Sequence, residues 1–217
     1  DTWNATDRTF VTIAGRFNNA VVNNKLNNYV SSVSTSEEFT YRSFNPSLGI
    51  TYKTSPSVSI FANIGRSNRV PTAIELGCAD SAYPCRLPTG LQADPYLKQV
   101  IAQTLETGIR WAISGDTGIN ASIYRSDNKN DILFRYEGVQ GLGYFSNFSK
   151  TRRQGVDISA YTSVSHVEMR ASYSYLHATY QDSGELFGGD REIDIEPGTK
   201  IAGLPQHTFK LSADWHA

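Results

Sequence analysis

Residues 145–164 read FSNFSKTRRQGVDISAYTSV, a stretch whose pattern indicates the fold class of the chain. Its second half, VDISAYTSV, alternates between apolar and polar residues, which is the pattern of a strand with two different faces. No turn separates this alternation from the three cations Lys150, Arg152 and Arg153. Because strands of ordinary globular proteins run for about 5 to 6 residues, the stretch predicts an unusually long strand.

The same period-two alternation recurs along the chain, whereas helical periodicity is scarce. It predicts eight strands, near residues 8–18, 42–53, 57–69, 99–112, 117–133, 143–164, 166–179 and 206–216. Tight turns are expected near residues 53–57, 113–117 and 164–166. Longer segments, mostly rich in Asn, Ser, Gly and Pro, are expected to form loops near residues 19–41, 70–98, 134–142 and 180–205. Short and long connections alternate, so we predict an all-β, antiparallel up-and-down meander with all tight turns at one end.

Apolar and polar residues sort onto opposite faces of the central strands. For example, the odd-numbered positions of one strand hold Ile119, Ala121 and Ile123, while the even-numbered positions hold Asn120 and Ser122. We call this odd or even placement along a strand the parity of a residue. Many residues of the apolar parity are alanines, which would leave a protein core short of volume but suit contact with lipid tails. Several strands also reach the about 9–11 residues that a tilted strand needs to cross a bilayer. The sequence therefore predicts part of a transmembrane β-barrel with a polar interior.

Aromatic residues support this interpretation only in part. Tyr52, Trp111 and Trp215 have the apolar parity near tight turns, where an interfacial belt would lie, but Tyr161 has the polar parity. Two alternatives remain open. A soluble β-sandwich, for example a carbohydrate-binding module, buries one face of each sheet and alternates in the same way. A self-contained eight-stranded outer-membrane barrel, an adhesin or small pore, requires the first strand to pair with the last.

Charge and hydropathy exclude other classes. The chain has 20 Lys and Arg against 21 Asp and Glu, so we expect no nucleic-acid partner. Mean hydropathy is −0.38, and no stretch approaches the about 20 apolar residues of a membrane-spanning helix. The first residues lack a charged-then-apolar leader, which predicts a mature, internal or trimmed chain.

The sequence contains no catalytic constellation. Pairs of polar parity such as Glu106 with Arg110 fit salt bridges in a polar barrel interior better than catalytic carboxylates. The histidines lack the spacing of metal ligands and have no Ser or Cys partner; they are His166, His177, His207 and His216. We therefore expect no enzyme activity, no metal site and no cofactor.

The two cysteines lie seven positions apart, Cys78 and Cys85, in the polar stretch ELGCADSAYPCRLP. This spacing and composition predict a small disulfide-closed loop in an oxidising compartment. A metal pair is the weaker alternative, because no His lies nearby and the spacing is too wide for a CxxC knuckle.

Four segments of the sequence resemble the barrel of TonB-dependent outer-membrane receptors. They are NPSLGITYK at 45–53, SIFANIGRSNRVPTAIEL at 59–76, NFSKTRRQGVDIS at 147–159 and GLPQHTFKLSADW at 203–215. The residues that fit the family's strand-end patterns are Arg69, Pro71, Glu75 and Leu76, then Asn147, Thr151, Arg153, Gln154, Gly155, Val156 and Asp157, and then Gly203, Pro205, His207 and Thr208. Each pattern alone is moderately specific, and their joint order carries the resemblance.

The resemblance implies active import across the outer membrane of a Gram-negative bacterium. In this family a scarce ligand, such as a ferric siderophore, cobalamin or a glycan, binds at the outer loops and plug, and the TonB complex drives its release inward. The family's barrel has about 22 strands around a plug, whereas this sequence shows no plug, no TonB-binding segment and no terminal aromatic residue. We therefore expect an internal part of a longer receptor. Its expected partners are outer-membrane lipid, a small nutrient ligand and, through segments outside this chain, the TonB complex.

Ligand recognition is expected in the long segments 70–98 and 180–205, because outer loops on a rigid barrel are where binding groups can diverge. The candidate contacts are Tyr83, Arg86, Tyr96, Asp190, Arg191 and Glu192. Lys150, Arg152 and Arg153 lie on the loop-side extension of their strand, where they would meet lipid phosphates, line the mouth or remain solvated.

Overall fold

One antiparallel sheet dominates the computed structural model, which describes residues 1–28, 33–79, 85–86, 96–136, 142–188 and 191–215. The strands of this sheet are β1 (Thr2–Asn4), β2 (Thr9–Asn28), β3 (Val33–Lys53), β4 (Val58–Arg69), β5 (Cys85–Arg86), β6 (Val100–Ala112), β7 (Thr117–Tyr136), β8 (Leu142–Val164), β9 (Val167–Tyr180) and β12 (His207–Trp215). Helix α1 (Ala73–Leu76) and a separate hairpin of β10 (Gly184–Gly188) and β11 (Arg191–Ile195) lie in the connections. No described helix is long and apolar enough to cross a membrane.

The strands follow one another across the sheet in chain order, β1-β2-β3-β4-β6-β7-β8-β9-β12, and β5 pairs with β8. All neighbours are antiparallel, so the predicted meander is confirmed. Within the described residues β12 pairs with β9 alone, and no strand joins it to β1 or β2. The sheet is therefore open at both edges, which disfavours a self-contained eight-stranded barrel.

The eight predicted strands are all present, but several run farther than predicted. β2 and β3 stay paired as far as Asn28 and Val33, so the expectation of a loop over 19–41 is wrong. Its Asn and Ser content suggested a loop, yet the directly opposed Val22 and Phe39 pack against a buried cluster around Leu76. Packing against the rest of the molecule thus outweighs local composition here.

The other long connections are also partly structured. The segment 70–98 contains α1 and β5, and the segment 180–205 contains the hairpin of β10 and β11. β7 and β8 extend into the segment 134–142 from both sides, leaving 137–141 outside the described residues. The tight turns join β3 to β4, β6 to β7 and β8 to β9, as predicted. Which end of the sheet faces which side of a membrane stays a prediction.

The register defines the two faces of the sheet, because directly opposed residues share a face. Three rows of uncharged residues cross the middle of one face: Val58, Trp111, Ile119, Ala160, Ala171 and Leu211; Tyr52, Ile60, Ile109, Ala121, Ile158, Tyr173 and Phe209; Ile50, Ala62, Thr107, Ile123, Val156 and Tyr175. We call this the outer face. Its large side chains are exposed, for example Ile123 at 58% and Leu211 at 69%.

No described element covers these rows, so the apolar face has no protein layer against it. A β-sandwich buries this face against a second sheet. The sandwich interpretation is therefore not supported. An exposed apolar surface of this extent marks a site of contact with a membrane or with another protein.

Aromatic rings lie against glycines on the opposite, inner face. The directly opposed pairs are Phe61 with Gly108, Tyr124 with Gly155 and Tyr161 with Gly118. A Cβ atom at Gly108 would lie 2.7 Å from the Phe61 ring, so the ring occupies the space that a side chain would need. Phe61 is only 7% exposed, and the guanidinium of Arg110 stands 4.4 Å from its ring centroid. This packing explains the polar parity of Tyr161, whose ring lines the inner wall.

Candidate functional site

The strand ends opposite the tight turns carry a second structural layer, which we call the mouth. It comprises the connecting residues 70–79 and 96–99 with the adjoining ends of β2, β3, β4, β6, β7 and β8. A buried cluster joins these parts: Leu76, Ala79, Leu97, Val100 and Ile132. The connection after β4 therefore packs onto the strands, instead of extending away from them as a free loop.

The start of this connection is fixed by residues of the first family pattern. Thr72 caps α1 in a capping box, in which its hydroxyl accepts from the Glu75 amide at 3.2 Å and Glu75 accepts from the Thr72 amide at 2.8 Å. Arg69 at the end of β4 donates to the same Glu75 carboxylate at 2.7 Å. Pro71 is fully buried between them. The pattern thus sets the direction in which the chain leaves β4.

A disulfide closes the next part of the connection. Cys78 and Cys85 are bonded, with their Cα atoms 5.8 Å apart, and both are buried. The Cys78 carbonyl accepts from the Phe145 amide at 2.6 Å, and Cys85 pairs with Gly143 in the ladder. The bridge therefore fastens the connection to β8 at two adjacent points.

Asn147 holds the returning chain. Its Oδ1 accepts from the Lys98 amide at 2.8 Å, and its Nδ2 donates to the Lys98 carbonyl at 2.9 Å. Nδ2 also donates to the Asn130 carbonyl at 2.9 Å. The Asn147 side chain on β8 thus forms the two hydrogen bonds with the Lys98 backbone that a neighbouring strand would otherwise form. Its third hydrogen bond connects the same side chain to β7.

The variant Asn147→Ala is expected to loosen residues 96–99 while the sheet stays folded. Alanine removes three hydrogen bonds to backbone groups, each worth about 0.5–1.5 kcal/mol. Limited proteolysis should then cut the segment 70–98 several-fold faster than in the unaltered protein. Asn23→Ala, at an exposed position of β2, is the matched control. Equal cleavage rates for Asn147→Ala and the control would contradict the assigned role.

Amide side chains also join β3 to β4 where their ladder ends. The two strands pair only as far as Ser47 with Gly65. Above this point a chain of amides continues the connection: Asn18 and Asn45 donate to Asn68 at 2.6 and 2.7 Å, Asn68 donates to Gln99 at 2.9 Å, and Gln99 donates to the Arg42 carbonyl at 2.8 Å. These four residues were not predicted as contacts, because their spacing in the sequence follows no motif.

An aromatic platform rises from β3 at the mouth. Tyr41 is 2% exposed, and its hydroxyl donates to the Leu97 carbonyl at 3.0 Å. Burial, and to a smaller extent Tyr96, raises the pKa of Tyr41 to about 12. Its phenol therefore stays protonated and keeps this donor. The ring of Tyr96 stacks on Tyr41 with centroids 5.6 Å apart and is itself 57% exposed.

Tyr41 has the parity of the inner-face residues of β3, so the aromatic platform lies on the inner face of the sheet. Phe39 adds a tilted contact to Tyr96, with centroids 6.0 Å apart. Tyr96 is thus an exposed ring held from below on the inner side of the mouth. Of the predicted ligand contacts, it is the one whose side chain the structure describes.

A buried polar centre lies on the neighbouring strands. Thr151 is fully buried and donates to Asp131 at 2.6 Å, and Arg153 donates to the same carboxylate at 3.1 Å. Asn130, just before Asp131, has φ 54°, a left-handed conformation that Asn tolerates better than most residues. Simple alternation would turn the Asp131 side chain to the outer face. The left-handed conformation of Asn130 accounts for its position on the inner face instead, beside Thr151 and Arg153.

The remaining residues of the family patterns have separate positions. Gly155 lies beneath Tyr124, and Asp157 lies on the inner face opposite Ser122 and Ser174. His207 begins β12, where its Nδ1 lies 2.9 Å from the Tyr173 hydroxyl; Pro205 precedes it at an exposed position.

The other predicted ligand contacts are not brought together by the described structure. Tyr83 and Asp190 lie outside the described residues. The backbones of Arg86, Arg191 and Glu192 belong to short strands, and their side chains are likewise outside what the structure describes. A shared site for these five residues therefore stays a prediction.

The chemistry available in the mouth is that of binding. Within the described residues no group of three or more His, Cys, Asp or Glu side chains is placed to hold a metal ion. What the mouth does offer is an exposed ring on a buried support, beside amides and a paired Arg. Such a set is able to hold a ligand through stacking and hydrogen bonds.

Comparisons with known proteins identify what this chain is similar to. The family described as "TonB dependent receptor-like, beta-barrel" matches residues 1–217. Solved structures with a similar fold include the siderophore receptor PiuA from Acinetobacter baumannii, at 16% identity and a TM-score of 0.71 over 97% of this chain and 29% of that one. The ferric-catecholate import receptor Fiu from E. coli K12 has 17% identity and a TM-score of 0.66, over 100% of this chain and 31% of that one. The ferric citrate transporter FecA has 21% identity and a TM-score of 0.60, over 96% of this chain and 28% of that one.

These identities show a shared fold alone. The chain spans less than a third of the length of each of these three structures, at 29%, 31% and 28%. A search of curated proteins finds no significant match.

Proposed function

This chain belongs to the TonB-dependent receptor family as part of its β-barrel, and on that premise we propose that it forms part of the wall of a receptor for active uptake of a scarce ligand. The family consists of receptors and transporters, not enzymes. The observation that carries the proposal is the division of the sheet into an exposed apolar outer face and a polar inner face. That division suits a wall between lipid and a water-filled interior.

The apolar rows support a position within a membrane. In the proposed arrangement the outer face lies against hydrocarbon in the outer membrane of a Gram-negative bacterium, and the tight turns near 53–57, 113–117 and 164–166 lie on the periplasmic side. The paired ends of β2 and β3, together with the connections near 70–98, 134–142 and 180–205, then belong to the extracellular end. In this orientation the mouth faces the medium from which the ligand arrives.

The open edges of the sheet call for further strands. Unpaired backbone groups at an edge are costly in hydrocarbon, since no water is there to bond them. Strands outside this chain would pair with both edges and complete the barrel. The plug and the segment that contacts the TonB complex would likewise be supplied by the rest of the receptor.

A ferric siderophore is the ligand class to test first. Three structures of similar fold are named as receptors or transporters of siderophores or ferric chelates. The platform of Tyr96 on Tyr41 offers a flat contact for such a ligand, and cobalamin and glycans are the other classes that the family serves.

Uptake by the intact receptor tests the function. The full reading frame is expressed in a Gram-negative host that lacks its own receptors for the probes, with and without a working TonB complex. The probes are a panel of iron-55 siderophores, cobalt-57 cobalamin and radiolabelled oligosaccharides. We expect TonB-dependent accumulation of at least one probe, most strongly a ferric siderophore. No TonB-dependent accumulation of any probe would overturn the proposal.

The variant Tyr96→Ala is expected to weaken ligand binding by about tenfold, or about 1.4 kcal/mol. Exchange of the whole segment 70–98 is a blunter test, because it would also remove Leu76 and Leu97 from the buried cluster. Affinity is measured on purified receptor by quenching of intrinsic fluorescence. Tyr96→Phe keeps the ring and should bind nearly as the unaltered receptor does, whereas unchanged affinity in Tyr96→Ala would exclude the platform from recognition.

A further inference from the structure

Cations replace apolar residues on the outer face immediately above its uncharged rows. Three successive rows of opposed residues show the change: Ile13, Leu48, Ile64, Leu105 and Arg125; Arg66, Gln103, Asp127 and Arg152; Ile101, Lys129 and Lys150. Five cations and one carboxylate thus share this face. We call Arg66, Arg125, Lys129, Lys150 and Arg152 the cationic rim.

Asp127 organises two members of the rim. Arg152 Nε donates to Asp127 Oδ1 at 2.6 Å, and Arg125 donates to Oδ2 through Nε at 3.2 Å and Nη2 at 3.0 Å. One carboxylate therefore holds two guanidinium groups side by side.

Lys129 and Lys150 are opposed directly in the ladder. No carboxylate among the described residues forms an ion pair with either of them, or with Arg66. Like charges placed directly opposite are destabilising in a sheet. An anion between them removes this repulsion, so the pair indicates a site for negative charge.

An apolar groove lies directly below the rim. It has a volume of about 820 Å³; Ile13, Leu48, Ile64 and Leu105 form part of its wall, and Arg66, Arg125 and Asp127 also line it. The four apolar side chains are between 48% and 64% exposed. Hydrocarbon contact and positive charge therefore adjoin on one surface, within the about 7 Å that separates successive rows of a strand.

We propose that the cationic rim and this groove bind a phosphorylated membrane lipid, with its phosphates on the rim and an acyl chain in the groove. Arg groups suit phosphate because they donate two parallel hydrogen bonds, and Lys adds charge that is not fixed in direction. A lipid is the favoured occupant because the rim continues the lipid-facing rows without a break. Arg153 is not part of this site, since it donates to Asp131 on the other side of the strand.

This inference rests on the membrane placement in the proposed function, and its test uses no transported ligand. The intact receptor is purified in a nonionic detergent and incubated with a diphosphorylated acyl glycolipid, with its enzymatically dephosphorylated form, or with inorganic phosphate. Native mass spectrometry counts the retained lipid. The variant is the triple substitution Arg66→Gln, Lys129→Gln and Lys150→Gln, which breaks no ion pair of the described residues. The matched control is Arg8→Gln, Lys53→Gln and Lys210→Gln, with the same loss of charge away from the rim.

We expect the triple variant to bind the phosphorylated glycolipid at least tenfold more weakly than the unaltered receptor, with the control unchanged. The dephosphorylated lipid should bind weakly and equally to all three proteins. Comparing the two lipid forms on the unaltered receptor thus measures what the phosphates contribute to binding without any substitution in the protein. Equal binding of both lipid forms to the unaltered receptor would overturn the proposal. So would equal lipid binding by variant and control, or binding of inorganic phosphate as tight as that of the lipid. Uptake is measured in a separate assay. Normal ligand uptake together with a failed lipid-binding test would therefore overturn the lipid site alone and leave the proposed uptake function standing.

Discussion

The variant Gly155→Ala is expected to prevent most of the receptor from reaching its folded state in the membrane. Gly155 sits in the middle of β8, opposed to Tyr124 on one side and to Leu176 on the other. A Cβ atom there would overlap the backbone carbonyl oxygen of Tyr175 and lie 2.9 Å from the Tyr124 hydroxyl. The ring can swing away, but the carbonyl belongs to the ladder of β9. Relief of the overlap therefore requires β8 and β9 to separate, which breaks ladder hydrogen bonds that hydrocarbon cannot replace.

Folded receptor is measured by the shift in electrophoretic mobility between unheated and boiled outer-membrane samples. We expect the folded band of Gly155→Ala to fall at least tenfold relative to the unaltered protein. Gly115→Ala is the matched control, because a Cβ atom at this turn glycine would meet no atom within 4 Å. A folded band for Gly155→Ala as strong as that of the control would show that the two strands adjust without loss.

The two faces of the sheet could be predicted because they depend on alternation alone. A strand turns successive side chains to opposite sides, so Ile158 and Ser159 are assigned to different faces before any partner is known. Short turns then fix which strands are neighbours, and the meander follows. The alternation assigns Trp111 to the apolar face, and in the structure Trp111 lies exposed in a row of the outer face.

The mouth could not be predicted in the same way, because its contacts join residues distant in sequence. The hydrogen bond between Asn18 and Asn68 spans 50 positions, and that between Tyr41 and Leu97 spans 56. Polar composition near residues 19–41 suggested a loop, since nothing local reveals that Val22 meets a buried cluster. Local patterns describe the wall well and the packing of its connections poorly.

The adjacent cations Arg152 and Arg153 show the same limit at single residues. Alternation separates them onto two faces, but their partners depend on β7. Asp127 keeps its expected face and binds Arg152, whereas Asp131 follows the positive φ of Asn130 and binds Arg153. The sequence assigns the two basic residues to different faces, and only the structure shows which carboxylate each one binds.

A second large effect is expected from Ile158→Lys, which places a charge in the middle uncharged row of the outer face. Ile158 is 41% exposed and is flanked in its row by Ala121 and Tyr173. If the row contacts hydrocarbon, the ammonium loses its hydration there. For a Lys at the bilayer midplane the cost is about 2–4 kcal/mol, and it falls toward the interfaces. A water-filled interior imposes no such cost.

The neighbouring variant Ser159→Lys provides the matched control, because it places the same side chain on the inner face one position along β8. Its row neighbours are Asn120 and Ser172, which are uncharged. The free energy of unfolding is measured on the intact receptor in phosphatidylcholine vesicles by titration with guanidinium chloride. We expect a loss of about 2–4 kcal/mol for Ile158→Lys and a clearly smaller loss for Ser159→Lys. Equal losses would mean that both faces meet the same solvent, and the reverse order would place the lipid against the polar face. Either outcome would remove the physical basis on which the uptake function and the lipid site both depend.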